Sequence, residues 1–144
     1  MSLFSNTIEM QSLKMLEMGL DAAMVRRNVL ANNIANVDVP HFKRSEVSFE
    51  ENIRRAIDST RREREEPLLN TIHKEHIAGR KGRDFRRVVP QIHTDYNSSM
   101  RNDGNNVDME DEIAKLNRNQ LHYNLMADRA GKKLRHLNSL VRLA

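Results

Sequence analysis

The sequence predicts a mainly α-helical protein, with long amino- and carboxy-terminal helices paired as an elongated, coiled-coil-like hairpin around an irregular middle. Apolar residues recur at three- and four-residue steps over both ends of the chain. The stretch between them is polar and rich in turn signals, with a short helix and a short β segment. Of the 144 residues 38% are apolar and 31% charged, with four Phe, two Tyr and no Trp. That composition can bury a narrow helical seam but has little material for a thick core. One structural domain is expected, in three zones: 1–36, 37–106 and 107–144.

In the first zone Leu13, Leu16, Leu20, Ala23 with Met24, Arg27, Ala31 and Ile34 mark one helical stripe, strongest from Gln11 to Asn36. The helix should stop near Asn36, because Val37-Asp-Val-Pro40 favours extended backbone before the proline. In the middle, Ser48 and Glu51 fit a capping box, and Phe49, Ile53, Ala56 and Ile57 supply the face of a short helix over about 48–60. Periodicity then fades from Arg61 to Asn106, and only Phe85 to His93 suggests a strand, interrupted by Pro90. In the last zone Met109, Ile113, Leu116, Gln120, Tyr123, Ala127, Ala130, Leu134, Leu137, Val141 and Ala144 alternate steps of four and three, a heptad seam. Asp108 suits the N-cap, acids fill the first turn, and Lys132, Lys133, Arg135 and Arg142 load the far end.

The two stripes should cover each other, since helices in proteins are held mainly by packing an apolar face. The middle segment is long enough for parallel or antiparallel pairing, and antiparallel is preferred. Ala127 and Ala130 would permit close approach, and Leu13, Leu16, Leu20, Ile34, Met109, Ile113, Leu116, Tyr123, Leu134, Leu137 and Val141 complete the expected packing set.

No catalytic site, cofactor or metal is expected. His73-x-x-His76 with His93 falls in the least structured zone, without cysteine or a His-Glu-x-x-His pattern. Gly79-Arg-Lys-Gly-Arg83 lacks the strand before and the helix after that a phosphate loop needs. The arginines between Arg61 and Arg87 are interleaved with acids, and aromatic platforms are scarce, so no nucleic acid is expected despite a net charge of +4. No window approaches a membrane span, and the amino end has no basic start, apolar core or cleavage site, so no cleavable signal is expected. Asn28, Asn32 and Asn36 share a helix flank, with Asn33 beside them. Asparagine is a poor interior helix residue, so this amide row is a candidate contact surface, against the plainer reading of a fraying helix end. Arg27, inside the stripe, would reach an acid on another helix or subunit, or meet solvent where the stripe opens.

Ala31-Asn-Asn-Ile-Ala-Asn36 followed by Val39-Pro40-His-Phe-Lys43 resembles the amino-terminal signature shared by bacterial flagellar rod, hook and hook-associated proteins. Asp103-Gly-Asn-Asn-Val-Asp108, with Glu110-Asp-Glu-Ile-Ala-Lys-Leu116 and Asn119-Gln-Leu-x-Tyr-Asn124, is similar to the carboxy-terminal region of the proximal rod members of that family. The resemblance covers about half the chain, at its ends. Members often carry Thr-Pro-Gly-Tyr where this chain has Val39-Pro40-His41-Phe42, so a residue suited to positive φ is replaced.

The resemblance implies a structural subunit of the rod, exported without a cleavable signal through the flagellar type III apparatus. It would lie in the periplasmic region, connecting the membrane ring and export gate to the rest of the rod and transmitting torque to the hook. Other rod proteins, membrane-ring and export-gate components and neighbouring copies would be its partners. It also implies that Asn28, Asn32, Asn33, Asn36, Pro40, Phe42, Gly104, Asn105, Val107 and Asp108 carry the rod-family motif and contact neighbouring subunits. The rival readings are a nucleic-acid-associated basic helical protein and a soluble helical adaptor or export chaperone.

Overall fold

The computed structural model describes residues 8–65 and 82–143. The elements are helix α1 (Ile8–Ala35), strand β1 (Ser45–Ser48), helix α2 (Glu50–Glu65), a single 3-10 turn (Phe85–Arg87), strand β2 (Gln91–Thr94) and helix α3 (Met109–Leu143). Residues 73 and 76 of the histidine pair, and 79–81 of the basic glycine segment, lie outside the described residues. The chain divides into two compact units, one made of 1–47 with 90–144 and the other of 48–89.

In the first unit α1 and α3 pack side by side and antiparallel. Lys133 reaches Ser12, Met126 lies over Gly19, Asn119 meets Ala23 and Glu112 meets Asn33. At 35 residues and 1.5 Å rise per residue, α3 is about 50 Å long. Asp108 caps it, its carboxylate accepting from the N–H groups of Glu110 at 3.0 Å and Asp111 at 3.4 Å. Helix α1 ends where Asn36 turns its amide back to the Asn32 carbonyl, 2.7 Å away, satisfying an acceptor that the helix end leaves open. Strands β1 and β2 form a two-stranded sheet. The Asp95 N–H donates to the Arg44 carbonyl at 3.0 Å and the Ser45 and Thr94 hydroxyls meet at 2.9 Å, so the strands run antiparallel.

The face of α3 turned to α1 takes in only part of the expected seam. Met109, Ile113, Leu134 and Val141 stay exposed, Val141 at 77%, while the buried residues of α3 include Glu112 and Asn119. Leu116, Tyr123, Ala127, Ala130 and Leu137 are half-buried, and Gln120 is exposed. The contact is therefore rotated around α3 toward Glu112, Asn119, Met126 and Lys133. On α1 it is likewise rotated, toward Met18, Ala22, Ala23, Val29, Leu30 and Asn33. Leu13, Leu16, Leu20 and Ile34 are half-buried, whereas Met24, Arg27 and Ala31 are exposed. Two physical causes act together. A Cβ on Gly19 would stand 2.8 Å from the Met126 sulfur, so the small residues Gly19, Ala22 and Ala23 let α3 approach on their side. Polar groups on that face also find partners across it: the Asn119 amide nitrogen donates to the Ala23 carbonyl at 2.9 Å, although the buried oxygen of that side chain accepts no hydrogen bond from a described residue.

In the second unit α2 starts at Glu50, with the Phe49 carbonyl accepting the Ile53 N–H at 2.9 Å. It continues past Thr60 into the charged run, where Arg61 pairs with Glu65 one turn on, as Arg55 does with Glu51 earlier in the helix. The segment after residue 81 returns to this helix: the Arg83 N–H donates to the Ser59 hydroxyl at 2.9 Å, and the Thr60 hydroxyl to the Arg83 carbonyl at 3.0 Å. Gly82 passes so near that a Cβ there would stand 2.8 Å from the Thr60 Cα. Back in the first unit, strand β2 begins directly after Pro90, a position at which the missing N–H costs the ladder nothing.

Candidate functional site

At the end of the first unit where α1 finishes and α3 begins, the chain buries polar groups. The largest fully buried side chains are Glu112, Asn33, Asn105 and Asn106. Such groups are tolerated inside only when hydrogen-bonded. Asn33, on the last turns of α1, meets this condition with every polar group of its amide. Its Nδ2 donates to Glu112 Oε2 and to the Ser45 carbonyl, both at 2.8 Å, and its Oδ1 accepts the Ser45 N–H at 3.0 Å. One side chain thus fixes α1, β1 and α3 together.

Glu112 stands in the first turn of α3, where the helix favours negative charge. Its other oxygen lies 3.2 Å from Lys115 Nζ and 3.8 Å from Arg44. Lys115 also pairs with Asp111 at 2.8 Å and Glu46 at 3.5 Å. Arg44 lies within 4.0 Å of Glu46, Asp95 and Asp111. Two cations thus hold four carboxylates around the junction. The hydrogen bond from Lys115 holds the Asp111 carboxyl below its ordinary pKa, burial opposing and Arg44 assisting. Burial pulls Lys115 down, but its bonds to Asp111 and Glu112 outweigh this and leave its pKa raised. Asp95 is lowered by the Ser98 hydroxyl and the Asn97 N–H that it accepts.

The loop before α3 clasps the loop after α1. Asn105 Nδ2 points at the carbonyls of Asn36, Val37 and Val39, at 3.2, 3.0 and 2.9 Å, while its Oδ1 accepts the Val107 N–H at 2.7 Å. Asn106 accepts the Arg44 N–H at 2.7 Å and donates to the Asp95 carbonyl and the Ser98 hydroxyl, each at 2.9 Å. Lys43 adds bonds to the carbonyls of Ser98 and Gly104. Gly104 takes φ +79, and His41 keeps the left-handed turn with φ 61 although it is not glycine. Its N–H donates to the Asp103 carbonyl at 3.0 Å, and its ring lies where a Cβ of residue 104 would point.

The motif residues therefore play unlike parts. Asn28 and Asn32 are exposed, Asn36 bonds back to Asn32, and Asn33 alone among the four crosses to other elements. The turn after α1 is held by Asn105 rather than by the amide row. Pro40 is exposed, Phe42 half-buried and Val107 buried. Sequence reasoning did not single out Arg44 and Ser45, named Asn106 and Asn119 only within the carboxy-terminal motif, and gave Glu112 no part beyond that motif and the acidic helix start. The signal was there for two of them: Glu112 and Asn119 are seven residues apart, with Leu116 between them at a four-then-three step. Away from this site, Arg54, Arg55 and Arg61 of α2 each pair with an acid one turn away. No described helix is long and apolar enough to cross a membrane, and no metal-holding group of His, Cys, Asp and Glu occurs among the described residues.

A family profile described as flagella basal body rod protein matches residues 13–43, the stretch from the first turns of α1 to the clasped loop. The flagellar basal body rod protein FlgB of Borrelia hermsii is 36% identical over 123 residues, spanning 85% of this chain and 90% of that protein. The FlgB protein of Borreliella burgdorferi is 33% identical over the same length and shares of the two chains. That of Bacillus subtilis is 31% identical over 141 residues, covering 98% of this chain and 97% of its own.

Proposed function

Because the chain belongs to the FlgB family of flagellar basal body rod proteins, we propose that it takes its place in the rod through the paired terminal helices and the clasped junction between them. It is a structural subunit of the flagellar rod and not an enzyme, and other basal-body components are its partners. The observation that carries the reading is the junction itself. Asn33, Asn105 and Glu112 bind together segments from the two ends of the chain, and these are the segments that carry the rod-family motifs.

The finer placement follows from the same reading. The subunit sits in the periplasmic part of the rod, at its proximal end, after export through the flagellar apparatus. There it connects the membrane ring and export gate to the next rod proteins. Torque passes through it by packing alone. The exposed apolar residues Met109, Ile113, Leu134 and Val141 then serve contacts with neighbouring subunits. Asn28, Asn32, Pro40 and Asp108, all exposed, belong to the same proposed surface. Subunits joined by unlike faces with a non-closing rotation build a helical assembly, which suits such a surface.

The test is a density map of isolated basal bodies fine enough to place side chains. The chain should occupy the membrane-proximal rod, with α1 and α3 paired and the four apolar residues covered. Its absence from the rod, or a soluble closed complex in the cytoplasm, would overturn the reading.

A further inference from the structure

Between α1, β1 and α3 the first unit leaves a cavity of about 340 Å³ beside the junction, sharing Ser45, Glu46 and Lys115 with it. Its apolar floor comes from Val29 and Leu30 of α1 and Val47 of β1. The lining also holds the cations Arg26, Lys115 and Arg118, with His122 beside them, against the single acid Glu46. Lys115 is already engaged by Asp111, Glu112 and Glu46. Arg118 and His122 are exposed and make no hydrogen bond or ion pair with a described residue, Asp111 feeling Arg118 only at longer range.

We propose that this cleft receives an acidic segment of a different rod subunit, carboxylates meeting Arg118 and His122 and an apolar side chain entering over Val29, Leu30 and Val47. The proposal rests on the rod reading above. The size of the surface argues for a chain segment rather than a small anion. Leu121 and Leu125, 69% and 54% exposed, continue the same strip of α3 beyond the cleft. From residue 118 to 125 the strip runs about 10 Å along the helix axis. A small anion would satisfy Arg118 and His122 and leave those leucines in water, whereas a segment with carboxylates and apolar side chains covers both. Charge argues for a different protein rather than a second copy, because this chain has a net charge of +4. Complementary potentials chiefly set partner choice and encounter rate, so the cleft selects which neighbour docks.

The test places a photo-reactive amino acid at position 122 of the full chain in flagellated cells, and compares basal bodies from cells carrying the paired substitution Arg118→Glu with His122→Glu. Expected are a crosslink to a carboxylate-rich stretch of another rod protein and at least tenfold less of the doubly substituted chain in purified basal bodies. Arg118→Lys should restore incorporation. Both side chains are exposed, so the purified variant should melt like the wild type, which separates docking from folding. A crosslink between two copies, a crosslink to a stretch without acids, no crosslink in rods that contain the chain, or undiminished incorporation of the charge-reversed variant overturns the proposal. Wild-type chain missing from the rods would instead overturn the rod reading, so the two failures are told apart.

Discussion

Asn33 makes three hydrogen bonds from inside the protein, two to the main chain of Ser45 and one to a carboxylate that is itself buried. Removing one partner of a buried polar pair costs the desolvation of the group left behind, typically about 1–3 kcal/mol and more for a charged one. Asn33→Ala should therefore lower unfolding free energy by about 2–3 kcal/mol in a denaturant titration, while Asn28→Ala stays within about 0.5 kcal/mol. Equal effects would show that the junction is not where stability is concentrated. His41 invites the opposite change. Its φ of 61 suits glycine, so His41→Gly should stabilise the fold by about 0.5–1 kcal/mol, read as a higher denaturation midpoint. Acid acts on the same junction. Asp111 and Asp95 have lowered folded-state pKa values, so they contribute stability above their unfolded values that is lost as pH falls through the folded ones. Melting temperature should hold steady near neutral pH and drop below about pH 4. Asp111→Asn should lessen that drop, and an unchanged acid profile would remove Asp111 from the account. Lys115, whose pKa is raised, contributes below its ordinary 10.5 and loses its share only in stronger base.

At the scale of elements, α1 and α3 were legible because a three-and-four period is a local property of the chain. Which side of α3 meets α1 was not. Two stripes adjoin on that helix, and the outer one, with Ile113, Leu134 and Val141, is the more apolar. The inner one includes Glu112, Asn119 and Lys133, which look like surface residues until the partners Asn33, Ala23 and Ser12 are placed opposite. The same blindness applied to β1, four residues long with no alternation strong enough to mark it. Of the candidate site, Asn33 and Asn105 could be named from sequence, but only the folded contacts, 12 residues away for Ser45 and 79 for Glu112, show what Asn33 holds, and those 66 and 68 residues away show what Asn105 holds. Gly19 offers a test of the packing. Valine there would push its branched Cβ into Met126, and overpacking of this kind costs about 1–3 kcal/mol. Alanine meets only the flexible end of Met126 and gains up to about 1 kcal/mol of helix propensity, so Gly19→Ala should come out near neutral. Thermal melts of the two variants check both. A valine variant as stable as the alanine one would mean that the helices are not in close contact there.

For the whole molecule, folding and assembly draw on different residues. Leu134 and Val141 are exposed in the chain by itself, so Leu134→Ser with Val141→Ser should change the stability of the purified protein by no more than about 0.5 kcal/mol. In cells the same pair should reduce the amount of the chain recovered with basal bodies. Unaltered recovery would assign that stripe to plain solvent exposure.

The grip of Asn105 on the carbonyls of residues 36, 37 and 39 also sets an order of events in time. While a ribosome is still making the final third, the bend after the first helix has nothing to close upon it. The clasp on that bend therefore closes only after residue 105 has been made, a late encounter between distant parts of the polymer.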